Sequence, residues 1–233
     1  MVNFTSLTLW EICDIMSVTH KIALGMREVK MGKVDVNKQQ KESSLLKTAF
    51  EFFTTKGFSK TSISDIAGKA GVAKGTFYLY FKDKYDIRNR LVAHKSSQLF
   101  MNAMKELGPE LKNATFEEKM IRIVDNIINQ LNDNQSLLTF ISKNLSWGVF
   151  KSALTSPASE NDVDFNRVYD LMLAEAPYKL RDPEIMVFMI IELVSSTCYS
   201  AILYKDPCTL AELKPYLYDT IKLIIAQHKV DEK

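Results

Sequence analysis

The sequence predicts an all-α protein, with a helix-turn-helix head near its N-terminal side and a larger helical body after it. Three observations carry this. Glycine and proline are sparse, 8 and 6 in 233 residues, so little punctuates the chain. Leu, Ile, Met and Lys are plentiful, and these lose little side-chain freedom in a helix. No period-two apolar/polar run bracketed by turn dipeptides appears. Hydrophobic residues make up 46% and charged residues 25%, ordinary for a globular chain long enough to bury a core.

Residues 1–36 read as an N-terminal extension. The stretch MVNFTSLTLWEICDIMSVTH is moderately apolar, but Glu11 and Asp14 interrupt it and no basic segment precedes it. It makes a poor signal peptide and is too short and charged to span a membrane. Two readings of residues 1–30 stand. One is a peripheral helix. The other is a translated leader upstream of a true start at Met31, because REVKM back-translates to AGG GAG GTG AAA ATG, with a purine-rich GGGAGG just before the ATG. Detection of a peptide from residues 1–30 in the native protein by mass spectrometry would exclude the leader.

Residues 37–93 read as the head. A helix is predicted over 39–56, with Leu46, Ala49, Phe50 and Phe53 on one stripe. Gly57 stops it after Lys56. Ser62 and Asp65 then form an S-x-x-D helix start. Ile63, Ile66, Ala67 and Ala70 make the next apolar face, and Gly71 ends it in a left-handed turn that branched residues resist. The stretch AKGTFYLYF resumes as a third helix with Phe77 and Phe81 at i and i+4. Asp83 caps a fourth helix over 84–107.

Residues 94–233 read as the body. Helices are predicted over 116–131, 135–154, 163–176, 183–204 and 210–229. Asn132-Asp-Asn134, Ser156-Pro157, Ala176-Pro177, Asp182-Pro183 and Asp206-Pro207 separate them. The tight junction between the third and fourth helices predicts a head joined rigidly to the body.

The net charge of +2 hides an asymmetry. Residues 37–90 hold 11 Lys/Arg against 5 Asp/Glu, whereas residues 91–233 hold 15 against 19. A basic block beside a mildly acidic remainder fits a polyanion-binding head, although a solvated face would show the same balance. Two short helices joined at AGVAK supply the unit that would use this charge. The second can enter a major groove with Lys74, Gly75 and Thr76 toward the base edges. Gly75 permits close backbone approach, Thr76 offers a hydroxyl and Lys74 a charge. Phe77 and Phe81 keep Tyr78 and Tyr80 out of the core, so both phenols can reach phosphates. Lys84 adds a charge and a helix N-terminus. A phosphate-binding loop is rejected: GKAGVAKGT ends in Lys-Gly-Thr rather than Gly-Lys-Ser/Thr, and no strand precedes it.

The unit FSKTSISDIAGKAGVAKGTFYLYFKDKYDI closely resembles the DNA-binding head of the tetracycline-repressor (TetR) family. The resemblance rests on Gly57-Phe58, Thr61-Ser62, Asp65-Ile66-Ala67, Ala70-Gly71-Val72, Gly75-Thr76-Phe77-Tyr78, Tyr80-Phe81 and Lys84. It is dense over 57–87 and covers the head alone. Ala73 departs from the Ser common there. The resemblance implies a two-domain helical homodimer that represses transcription from a palindromic double-stranded DNA operator. A small molecule in the body would change the spacing of the heads. It also implies that Ser62 and Ser64 touch the DNA backbone, that Lys74, Gly75, Thr76, Tyr78 and Tyr80 make the recognition contacts, and that Lys84 binds a phosphate.

The body carries no comparable motif. Phe140, Asn144, Trp147, Phe165, Tyr169, Met172 and Tyr199 mix apolar surface with polar handles, as ligand pockets do, and each is also readable as plain core. Glu192 is the one charge within IMVFMIIELVSSTCYSAILY, and a buried carboxylate there would need a ligand or an ion pair across a dimer. That stretch has a membrane-like length, but Glu192 and the serines in its second half argue against insertion. The resemblance implies instead a helix pairing with its dimer mate. The scattered histidines His20, His94 and His228 form no catalytic or metal cluster, and no cofactor loop appears, so an enzyme is not predicted. Cys13, Cys198 and Cys208 are odd in number and lack metal spacing, which predicts free thiols in a reducing cytoplasm. Asn113-Ala-Thr115 and Asn144-Leu-Ser146 match the glycosylation pattern, which is common by chance. A head that has lost specific DNA binding and serves as a protein-interaction adaptor is the alternative function.

Overall fold

The computed structural model describes residues 33–106, 113–145, 147–149, 170 and 172–230. Among them run α1 (Lys33–Thr55), α2 (Ile63–Lys69), α3 (Lys74–Phe77), α4 (Lys84–Lys105), α5 (Phe116–Asp133), α6 (Gln135–Asn144), α7 (Pro183–Leu203) and α8 (Leu210–Gln227). The described residues form no strand, and one isolated antiparallel bridge joins Leu180 to Lys229.

The helix ends follow local chemistry. α1 stops where Gly57 takes φ 85°, and the Gly57 N–H donates back to the Phe52 carbonyl at 3.1 Å. The reciprocal capping box of Ser62 and Asp65 opens α2. Asp83 accepts from the Tyr85 and Asp86 amides at the start of α4. Thr115 with Glu118, and Thr209 with Glu212, make the same box for α5 and α8. Asp182 sits at φ 47° before Pro183, a left-handed residue that turns the chain into α7.

Four expectations need correction. α1 begins at Lys33, six residues before Gln39, so it crosses the boundary set at residue 36. Its buried face is Leu45, Ala49, Phe52 and Phe53, with Leu46 and Phe50 flanking it rather than at its centre. The third helix is four residues, not nine. After Phe77 the chain tightens into i+3 turns, Leu79 N–H to the Thr76 carbonyl and Tyr80 N–H to the Phe77 carbonyl. The helix predicted over 135–154 breaks at Leu145, which is extended, before a helical stretch at 147–149. The helix predicted over 163–176 lies mostly outside the described residues.

One contiguous core runs through head and body. α1, α2, α3 and the start of α4 form the head, and α4 continues into the body against α5. α6 is the seam. It packs on α1 and α4 on one side and on α5 and α7 on the other. At its centre Phe140 stacks on Phe53 at 6.4 Å and meets the edge of Phe50 at 5.3 Å. α7 and α8 pack together at the far side of the body.

Candidate nucleic-acid interface

The head is built around two buried rings. Phe77 and Phe81 are 0% and 1% exposed, with centroids 5.5 Å apart. They anchor an otherwise weak local element. α3 has Ala73 at its N-cap, which offers no side-chain acceptor, and it contains a glycine. Tertiary packing therefore holds it. Gly71 takes φ 73°, as its place at the turn requires, and Val72 N–H closes the turn on the Ala67 carbonyl at 3.0 Å. Ser44 of α1 donates to the Ala70 carbonyl at 3.2 Å, tying that turn to the head's long helix.

With the rings turned inward, the opposite side of the turn faces solvent. Lys74 and Gly75 are exposed, Thr76 is half-buried and Tyr78 is 51% exposed. Tyr80 is half-buried against the Phe81 ring at 6.4 Å, so it is less free than Tyr78. Ser62 and Ser64 are exposed at the start of α2. The Ser62 hydroxyl is already engaged, accepting from the Asp65 amide at 3.1 Å and donating to Asp65 Oδ2 at 2.7 Å. The Ser62 hydroxyl and amide bonds hold the Asp65 carboxyl below its usual value.

Lys84 is committed differently from the rest. Its ammonium donates to the Phe58 carbonyl at 2.8 Å and the Thr61 carbonyl at 2.9 Å, and lies 4.4 Å from the Phe58 ring centroid. It thereby fastens the link between α1 and α2 to the start of α4. Arg90 adds a second fastening, bonding Asp86 at 3.1 Å and reaching Glu42 of α1 at 3.7 Å.

Three exposed or half-exposed side chains beside this face escaped the sequence reading. Leu79 is 79% exposed. Tyr85 is 58% exposed, and the Arg88 guanidinium lies against both the Phe58 and Tyr85 rings, at 4.9 and 5.1 Å from their centroids. The i, i+3 spacing of Tyr85 and Arg88 was the available signal.

The body candidates do not converge on one described site. Phe140 is core at the head–body seam. Asn144 Nδ2 donates to the Phe140 carbonyl within its own helix at 2.7 Å. Trp147 reaches α7, donating to Glu184 Oε1 at 3.3 Å with its ring 5.3 Å from Phe188. Met172 is buried, and Tyr199 packs its ring 5.9 Å from Tyr204. Glu192 is exposed on this chain, on the same side of α7 as Ile185, Phe188 and Met189. Phe165 and Tyr169 lie outside the described residues. Among the described cysteines, Cys198 and Cys208 are free, and burial pushes the Cys198 thiol up to about 11.

Known proteins share this head. Residues 45–91 match the family of bacterial regulatory proteins called tetR. The "Fatty acid metabolism regulator protein" of Bacillus subtilis (strain 168) is 35% identical over 100 residues, which are 43% of this chain and 50% of that relative. The chain thus spans half or less of the curated relatives it matches first. Solved structures share the whole fold at lower identity. A TetR transcriptional regulator from Rhodococcus sp. RHA1 superposes with a TM-score of 0.56 at 14% identity, over 82% of this chain and 97% of that one. The transcriptional regulator FadR from Bacillus subtilis, solved in complex with stearoyl-CoA, gives 0.55 at 21% identity, over 79% and 97%. By its head motif and the match over residues 45–91, the chain carries a head of the TetR family of bacterial regulatory proteins, on a helical architecture that those solved structures share.

Proposed function

We propose that this protein is a cytoplasmic transcriptional repressor that binds a palindromic operator as a homodimer and leaves it when a small molecule binds the body. The observation that carries the reading is the solvent-facing turn of α3. Lys74, Gly75, Thr76 and Tyr78 are presented outward by two fully buried phenylalanines, on the basic part of the chain. Base edges are read by the start of the recognition helix, while Tyr78, Tyr80, Ser62 and Ser64 meet the backbone. Phosphate contacts supply most of the affinity and make it salt-dependent.

The effector is a long-chain acyl-CoA. Support comes from the relative named for fatty acid metabolism and from the FadR fold that carries stearoyl-CoA. Such a ligand acts only through its preference for the form that cannot bind DNA. The seam at α6 offers the route, because Phe140 touches Phe50 and Phe53 of the head and Trp147 touches α7 of the body.

The test is fluorescence anisotropy on DNA from just upstream of the protein's own gene. It uses a salt series, unrelated DNA as competitor, Tyr78→Ala as control, and stearoyl-CoA as the added ligand. Binding that survives competitor, fails in Tyr78→Ala and is released by stearoyl-CoA supports the whole reading. Release by no acyl-CoA would remove the effector and leave the repressor. Weak binding that is equal on both DNAs would favour the interaction-adaptor alternative.

A further inference from the structure

Gly75 has no reason within the chain to be glycine. A Cβ built there meets nothing within 4 Å, and its φ is not in the left-handed region. A glycine inside a helix is destabilising relative to alanine. One turn further, Leu79 is 79% exposed, the highest value among the exposed large hydrophobic side chains of the described residues. The bond from Leu79 N–H to the Thr76 carbonyl at 3.2 Å makes this an i+3 turn, which stacks Leu79 over Thr76, with Gly75 beside them. Phe77 and Phe81 occupy the opposite, buried side. An exposed leucine alone is unremarked on any protein surface. Here it stands one turn from a bare notch at Gly75 that the fold itself does not use, on the turn that carries Lys74 and Tyr78.

Leucine offers neither donor nor acceptor, so it can distinguish bases only by apolar contact. The major groove presents one apolar group, the C5-methyl of thymine. We infer that Leu79 reads a thymine methyl lying over the Gly75 notch, and so sets the base preference at one position of each half-site. The inference rests on the DNA-binding reading above. The missing Cβ at Gly75 lets the base edge come close, and Thr76 supplies a second methyl beside it. Tyr78 holds the register and Lys74 reads a different position, so neither carries this preference.

The experiment selects preferred sites from random-sequence DNA with the full chain, then replaces each thymine in turn with deoxyuridine, which removes only the methyl. At one thymine per half-site, uracil weakens wild-type binding about fourfold, the worth of one buried methyl-sized group. Leu79→Ala binds the thymine site about as weakly as wild type binds the uracil site, and it no longer responds to uracil there. Leu79→Met retains the response. Thermal melting of Leu79→Ala stays at the wild-type temperature, since the side chain lies outside the core. Uracil sensitivity that persists unchanged in Leu79→Ala at every thymine overturns the inference while leaving DNA binding in place. A wild-type protein that enriches no sequence overturns the DNA-binding reading and this inference together.

Discussion

Lys84 shows how one side chain can carry two readings that differ in what they predict. The resemblance assigns it to a phosphate, yet its ammonium is held by the Phe58 and Thr61 carbonyls. Lys84→Met leaves both acceptors without their charged donor, which costs about 1–3 kcal/mol. For a chain of this size that lowers Tm by roughly 2–12 °C. The expected outcome is a lower Tm with an unchanged slope of log affinity against log salt. A slope reduced by about one, at constant Tm, would return Lys84 to the phosphate. Lys74 gives the opposite signature. It is exposed and outside the core, so Lys74→Ala keeps Tm and relaxes base preference at one position of a selected site.

At the scale of elements, α5 is tied to the C-terminal part of the chain by two carboxylates. Asp125 accepts from Lys214 of α8 at 2.6 Å and from the Tyr218 hydroxyl. Glu117 accepts from Tyr178 at 2.7 Å and from Lys229 at 2.5 Å, beside the Leu180–Lys229 bridge. Burial pushes both carboxyls up, but the ammonium and phenol bonds outweigh it, so both lie below their usual values. Burial and the same carboxylates push the Tyr178 and Tyr218 phenols up. A depressed carboxyl binds fewer protons folded than unfolded. Its contribution is therefore present at neutral pH and is lost as pH falls below about 4. Asp125→Asn is expected to melt below wild type at pH 7, with the gap closing as acid protonates the lowered Asp125 carboxyl. Thermal melts across that range check this, and a gap that stays constant with pH would show that the clamp is not ionic.

The seam helix α6 makes a separate prediction. Phe140→Leu keeps an apolar side chain but gives up two ring contacts, worth about 1–3 kcal/mol together. Hydrogen exchange should accelerate in α1 more than in α8. Lys95 of α4 shares this seam, with its ammonium 5.1 Å from the Phe50 centroid, and burial lowers its pKa.

Across the whole molecule, the outward sides of α7 and α8 carry apolar surface. Ile185, Phe188 and Met189 on α7, with Tyr216 and Leu223 on α8, are all exposed. α7 is also long and apolar enough to cross a membrane by length and composition. In the proposed dimer these faces meet a second copy of the chain. Leu223→Glu is expected to sediment as a monomer in analytical ultracentrifugation. With one head in place of two, operator affinity should fall about a hundredfold or more. A variant that remains dimeric would move the interface elsewhere.

The sequence by itself determined the helical class, the punctuation of the head and the outward placing of its polar residues. Those follow from neighbours in the chain: Ser62 capping through Asp65, Gly71 turning left-handed, Phe77 and Phe81 four apart and both buried. Tertiary structure decided the rest, because it depends on partners far away along the chain. Periodicity marked Phe140 as apolar but could not say that Phe50 and Phe53, some 90 residues earlier, would claim it. The apolar run around Glu192 was legible, but not that this carboxylate shares the exposed side of α7 with Ile185, Phe188 and Met189. The charge of Lys84 was legible, but not the two carbonyls that hold it, since the geometry of the Phe58–Thr61 link exists only once α1 and α4 have packed.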